Sequence, residues 1–166
     1  MIIPETTDNL GQIAAVINHG GVIAFRTDTF YGLGADPFNR RAVQKIRDLK
    51  GREDDKPILV VISDARQMDR LLQHRSREFD DLAQHFWPGA LTIIGQAAAE
   101  LPDDLTAGTK TVGVRLPDDD KVRALIEACG GALTATSANV SGQPPARTAA
   151  DVEKDFGQRI DLFRGR

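Results

Sequence analysis

The chain is poor in the features that would give it away quickly. It has one cysteine, Cys129, which can form no internal disulfide and whose apolar neighbours favour a buried thiol. Its longest uninterrupted aliphatic run is Ile58 to Ile62, far below a membrane span, so no membrane partner is expected. The N-terminus has no positive segment leading into an apolar core, which points away from a signal peptide and toward a cytoplasmic location. The formal net charge of -3 gives no global attraction to nucleic acid or membrane, so any anion site must be a local patch. His19, His74 and His85 lack metal-ligand spacing and there is no Cys–His cluster, so no metal site is expected. No G-x-x-x-x-G-K-[ST] run is present, which excludes a P-loop nucleotide site by motif, and no Ser–His–Asp ordering stands out.

What is present is a globular composition, 41% hydrophobic and 27% charged over 166 residues, read as a single domain 1–166. Leu10, Ile13, Ala14, Val16 and Ile17 recur at helical spacing, with Thr7 and Asp8 as possible caps and Gly20-Gly21 as the stop. An apolar strand from Val22 follows. Asn39 suits the cap of a helix with Ala42, Val43, Ile46 and Leu49 on one stripe and Arg40, Arg41, Lys45 and Arg47 elsewhere. Ile58–Ile62 reads as a buried strand, Ala65–Leu72 and Arg77–Phe86 as helices, and Trp87-Pro88-Gly89 as a break. Strands are expected at Ala90–Gly95, Thr111–Arg115, Ala132–Ala135 and Ile160–Phe163, with helices at Lys121–Cys129 and Ala149–Phe156. This alternation argues an α/β fold with a largely covered mixed sheet.

Four stretches could carry chemistry. The first strand runs into Thr27-Asp28-Thr29, then Phe30-Tyr31 and Gly32-Leu-Gly34, whose glycines could take positive φ or admit a ligand to the backbone. Lys50-Gly51-Arg52, with Lys56 behind it, could clamp an anion; equally it could be a solvated loop neutralised by Glu53, Asp54 and Asp55. Ser137 and Asn139, among Thr134, Thr136 and Ser141, could read a nucleotide or could merely satisfy their own turn. Arg115 closes an apolar alternation as either a surface charge or a carboxylate clamp. One echo links them: helix, Gly-Gly, apolar strand and small polar residues recur at an offset of 110 positions, from Gly20–Thr29 to Gly130–Asn139.

The stretches T-D-T-F-Y-G-L-G (27–34), L-K-G-R-E-D-D-K-P-I (49–58), F-W-P-G-A-L-T (86–92), V-G-V-R-L-P (112–117) and T-S-A-N-V-S-G (136–142) resemble, in order and spacing, those of the YrdC family of threonylcarbamoyl-AMP synthases. The resemblance implies a single-domain α/β fold, a twisted mixed sheet with helices packed around it and a concave, positively charged cavity. It implies synthesis of L-threonylcarbamoyladenylate from L-threonine, bicarbonate or CO2, and ATP, with release of pyrophosphate, as the first step of N6-threonylcarbamoyladenosine formation in tRNA. Lys50, Arg52, Thr111, Ser137 and Asn139 match ATP-binding positions, with Lys50 and Arg52 on the phosphates as the catalytic pair. Thr27, Lys56, Arg115 and Ala135 match threonine-binding positions. ATP is expected as substrate with Mg2+, and proteins of tRNA modification as downstream partners. Arg26 stands where the family usually has Pro. The family's chains also continue past the Ile160–Phe163 strand with a Ser and an Arg that help close the site, so the resemblance is to a C-terminally short member. The competing expectation is an RNA-binding module, for double-stranded RNA or tRNA, using the basic strip from Arg40 to Lys56.

Overall fold

A computed structural model describes residues 2–4, 9–27, 30–51 and 56–165. Thr7 and Asp8, offered as caps, and Arg52 of the Lys-Gly-Arg clamp lie outside the described residues.

The elements in order are β1 (Ile2–Pro4), α1 (Leu10–Asn18), β2 (Ile23–Arg26), β3 (Tyr31–Gly34), α2 (Arg40–Lys50) and β4 (Val60–Ile62). They continue with α3 (Met68–Leu71), β5 (Leu72–His74), α4 (Arg77–Phe86), β6 (Ile93–Ala97), α5 (Asp103–Thr106) and β7 (Thr111–Arg115). The chain ends with α6 (Asp120–Ala128), β8 (Ala132–Thr134), β9 (Thr136–Ser137), α7 (Ala149–Phe156) and β10 (Leu162–Gly165). Asn39 caps α2 as expected, its side chain accepting the Ala42 N–H at 3.2 Å. α1 and α6 both end in the anticipated glycine pairs, with Gly20 at φ 77° and Gly130 at φ 98°.

The strands form two five-stranded mixed sheets where one was expected. The first runs β1-β10-β2-β3-β9 and the second β5-β6-β7-β4-β8. The division has a local cause at Ala135. β8 pairs antiparallel with β4, and Ala135 continues that ladder by donating to the Leu59 carbonyl at 2.7 Å. The next two residues then leave it as β9 and pair with β3 of the other sheet. A strand that changes sheets at a corner joins two layers in this way.

Gly32-Leu33-Gly34 is not a turn. It lies in β3, paired antiparallel with β2 from Ile23↔Gly34 to Arg26↔Tyr31, and neither glycine has positive φ. At Gly34 glycine is needed for closeness, because a Cβ there would stand 2.8 Å from the Phe25 ring.

Two apolar clusters hold the layers. One joins Val60, Val112 and Val114 of the second sheet to Val43 and Ile46 of α2 and to Leu33. The other packs Ile13 and Ile17 of α1 and Val122 and Ile126 of α6 against Phe25, Val61 and Leu133, with Cys129 buried beside them. Each such buried aliphatic side chain contributes about 1.5–3 kcal/mol. Among the described residues no helix is long and apolar enough to cross a membrane.

Candidate active site

The register of the second sheet brings the separated sequence matches onto one face. Side chains alternate along a strand, and in β7 Val112 and Val114 are buried while Thr111, Gly113 and Arg115 face the other way. Arg115 pairs with Val61 of β4, and Val61 with Leu133 of β8. One row back, Ile94 of β6 pairs with Gly113, and Leu59 lies level with it, its Cδ1 3.7 Å from where a Gly113 Cβ would be. Ala135 completes that row through its bond to Leu59. Thr111, Arg115 and Ala135, drawn from two sequence stretches, therefore share one sheet face. A strand rise of about 3.3 Å per residue separates Thr111 from Arg115 by about 13 Å.

Two cavities open at opposite ends of this face, divided by the row of Gly113, Leu59 and Ala135. The first, about 440 Å3, is lined by Lys50, Lys56, Pro57, Ser137, Asn139 and Ser141 among others. The second, about 240 Å3, takes in Thr27, Val61, Gly89, Arg115, Asp118 and Asp119. The structure thus gathers Lys50, Lys56, Ser137 and Asn139 at one end, and Thr27 and Arg115 at the other. Thr111 and Ala135 line neither cavity.

Lys50 is the last residue of α2 and only 5% exposed. Its Nζ donates to the carbonyls of Ser137 at 2.8 Å and Asn139 at 3.2 Å, and its own carbonyl accepts the Ser141 N–H at 2.9 Å. Helix end and polar loop are therefore a single rigid wall. In that wall two buried oxygens, Asn139 Oδ1 and Ser141 Oγ, have no hydrogen-bond partner among the described residues. A buried acceptor without a partner is costly, of the order of 1–3 kcal/mol, and both residues border the cavity. The Asn139 amide nitrogen is already used on the carbonyls of Val140 and Gln143, which leaves Oδ1 as the unsatisfied atom of that amide among the described residues.

In the second cavity Thr27 closes the β2–β3 hairpin, its hydroxyl donating to the Phe30 carbonyl at 2.7 Å. Arg115 Nε donates to the Gly89 carbonyl at 2.9 Å. Asp119 is committed as the cap of α6, accepting from Lys121 and Val122. Ser141 and Gly89 line the cavities without being among the expected site residues, although Ser141 neighbours Ser137 and Asn139 and both lie in the stretches 136–142 and 86–92 that carry the family resemblance.

The basic strip is largely occupied by internal partners. Lys45 pairs with Asp161 at 2.6 Å, Arg40 lies 3.6 Å from Asp104, and Arg47 donates to the main-chain carbonyls of Asp104 and Lys56. Among the described residues no group of three or more His, Cys, Asp and Glu is arranged to hold a metal ion.

A family model described as Sua5_yciO_yrdC, telomere recombination, matches residues 15–164. The chain belongs to this family. It is 38% identical over 150 residues to a threonylcarbamoyl-AMP synthase of Halorhodospira halophila (strain DSM 244 / SL1), covering 90% of this chain and 78% of that protein. It is 41% identical over 152 residues to a threonylcarbamoyl-AMP synthase of Bacillus subtilis (strain 168), covering 91% of this chain and 44% of that one. The fold superposes with a TM-score of 0.91 on the crystal structure of P. abyssi Sua5 complexed with L-threonine. There the identity is 34%, over 99% of this chain and 50% of the other. The chain therefore spans about half the length of the Bacillus and Pyrococcus proteins. The resemblance first read from five short stretches extends over nearly the whole chain.

Proposed function

We propose that the two ends of this sheet face bind ATP and L-threonine and that the chain is a threonylcarbamoyl-AMP synthase, a nucleotidyltransferase. The threonine amine adds to CO2, losing a proton to give a carbamate. A carbamate oxygen then attacks the α-phosphorus of ATP, and the bond to the departing pyrophosphate breaks. No side-chain nucleophile takes part. Catalysis rests on holding two anions together and on donors directed at the charge that develops on phosphate. Lys50, Ser137 and Asn139 bind the nucleotide, with Arg52 and Thr111 assigned to it from the family motif alone. Arg115 takes the threonine carboxylate beside Thr27; Ala135, which lines neither cavity, and Lys56, which lines the nucleotide end, are assigned to the amino acid from the family motif alone. Magnesium comes with ATP as part of the substrate. The product feeds N6-threonylcarbamoyladenosine formation in tRNA.

The observation that carries this reading is the pair of unpartnered buried oxygens in the wall that Lys50 braces, on the same sheet face as Arg115. The apolar row of Leu59, Gly113 and Ala135 between the two ends suits a labile carbamate and a mixed anhydride, which water would destroy. The internal pairing of Arg40, Lys45 and Arg47 makes the RNA-binding reading the weaker one. Incubation with labelled bicarbonate, L-threonine and ATP tests the proposal. Label is expected in an adenylate only when both other substrates are present; label that never enters an adenylate contradicts it.

A further inference from the structure

The turn that joins α4 to β6, Trp87 to Leu91, is tied to the end of β7 at a single glycine. The Gly89 carbonyl accepts from Arg115 Nε at 2.9 Å, and the Gly89 N–H donates to the Leu116 carbonyl, also at 2.9 Å. The turn is itself anchored. Trp87 N–H closes on the Ala83 carbonyl of α4 at 3.0 Å, and its indole N–H donates to the Leu91 carbonyl at 2.7 Å. The indole ring stands edge-on to Phe79, with centroids 6.1 Å apart. Only glycine fits at the tie, because a Cβ at position 89 would lie 2.4 Å from the Phe86 carbonyl oxygen. Gly89 and Arg115 line the same cavity as Thr27.

We propose that the Gly89 carbonyl is a positioning group for amino-acid recognition, one that sets the plane of the Arg115 guanidinium before substrate arrives. This rests on the function proposed above. A carboxylate is gripped by two parallel N–H bonds only if the guanidinium plane is correctly turned. An unrestrained arginine loses rotamer freedom on binding, and one already fixed through Nε loses less, so pre-orientation appears as affinity. Gly89 touches the chemistry only through Arg115. The plainer alternative is that the bond merely stabilises the turn, in which case the nucleotide and threonine ends would suffer alike.

Steady-state pyrophosphate release by Gly89→Ala, Arg115→Lys and the double variant separates the two. Gly89→Ala is expected to raise the KM for L-threonine about tenfold while the KM for ATP stays within about twofold. Lysine has no Nε–H fork to tie, so in the Arg115→Lys background Gly89→Ala is expected to add nothing to the threonine KM. Equal rises in both KM values, or a full additive effect in the Arg115→Lys background, would overturn the proposal. Should Gly89→Ala fail to fold, Trp87→Phe keeps a ring against Phe79 but loses the bond to Leu91. It is expected to raise the threonine KM in the same direction, and an unchanged value in the folded variant would equally overturn the proposal. A wild-type chain that releases no pyrophosphate in response to threonine overturns the synthase reading instead, and is distinct from either of these results.

Discussion

Lys50 Nζ donates to the Ser137 carbonyl at 2.8 Å, joining the end of a helix to a polar loop 87 positions away. One buried lysine thereby shapes a cavity wall. Hydrogen bonds to charged groups contribute about 1.5–3 kcal/mol each, so Lys50→Met is expected to lower unfolding stability by about 2–4 kcal/mol and to abolish ATP binding. Urea denaturation and calorimetric titration with ATP check the two effects.

Ser141 should behave in the opposite way. Its Oγ is buried and without a partner among the described residues, so the folded chain gains little from it. Ser141→Ala is expected to leave stability within about 0.5 kcal/mol, or to raise it. ATP affinity should fall about tenfold, or about 1.4 kcal/mol, if the hydroxyl is held for the nucleotide. Thermal melting and ATP titration of the one variant read both quantities.

Asp161 holds the join between β10 and β2. Its carboxylate accepts the Val22 N–H at 2.7 Å and Lys45 Nζ at 2.6 Å. Burial pushes its pKa up, but the Lys45 hydrogen bond, the Val22 N–H and the Lys45 charge outweigh burial and hold it below the ordinary carboxylate range. The stabilisation is therefore complete above the ordinary carboxylate pKa and is lost as pH falls through the lower, folded-state value. The pair is partly exposed and screened, so the larger cost of Asp161→Ala comes from the buried Val22 N–H, about 1–3 kcal/mol. The stability difference between wild type and variant, followed by urea denaturation, should be flat near neutrality and shrink on acidification.

Gly34 is closed to any side chain. A Cβ would meet the fully buried Phe25 ring at 2.8 Å and Ile23 Cγ1 at 3.2 Å. Gly34→Ala is expected to cost about 1–3 kcal/mol, as overpacking of a core does, with a matching drop in melting temperature.

The strongly patterned elements were legible from the residues alone. The stripe of Ala42, Val43, Ile46 and Leu49 and the Asn39 cap gave α2, and the apolar alternation gave β7. The expected helix at Ala65–Leu72 instead splits into a 3-10 turn, the short α3 and β5, because a four-residue α-helix and a three-residue strand have no period to read. β3 was hidden because its two glycines look like punctuation. Gly34 is dictated by Phe25 on the neighbouring strand, a partner no local rule sees, whereas a Cβ at Gly32 would meet only ordinary contacts. The two-sheet arrangement was equally out of reach, since β9 is two residues long and exists only by pairing with β3.

The candidate site shows the same division. Lys50, Ser137, Asn139 and Arg115 were legible as chemistry-bearing residues. Their grouping into two cavities depends on strand register, which Thr27-Asp28-Thr29 and its echo at Ser137–Asn139 suggested only as a shared crevice. Ser141 and Gly89 lie within the resembling stretches 136–142 and 86–92, but nothing in their local sequence assigns either a role. One matters because its hydroxyl is left unpartnered, the other because its carbonyl meets Arg115 from a distant strand.

Threonine-dependent pyrophosphate release from ATP and bicarbonate, measured on wild type beside Arg115→Lys, bears most directly on the proposal that one sheet face seats two substrates. Wild type should release pyrophosphate only with all three substrates present. Arg115→Lys should raise the KM for threonine at least about tenfold and leave that for ATP within about twofold. Release that ignores threonine, or a variant that weakens both substrates equally, would contradict it.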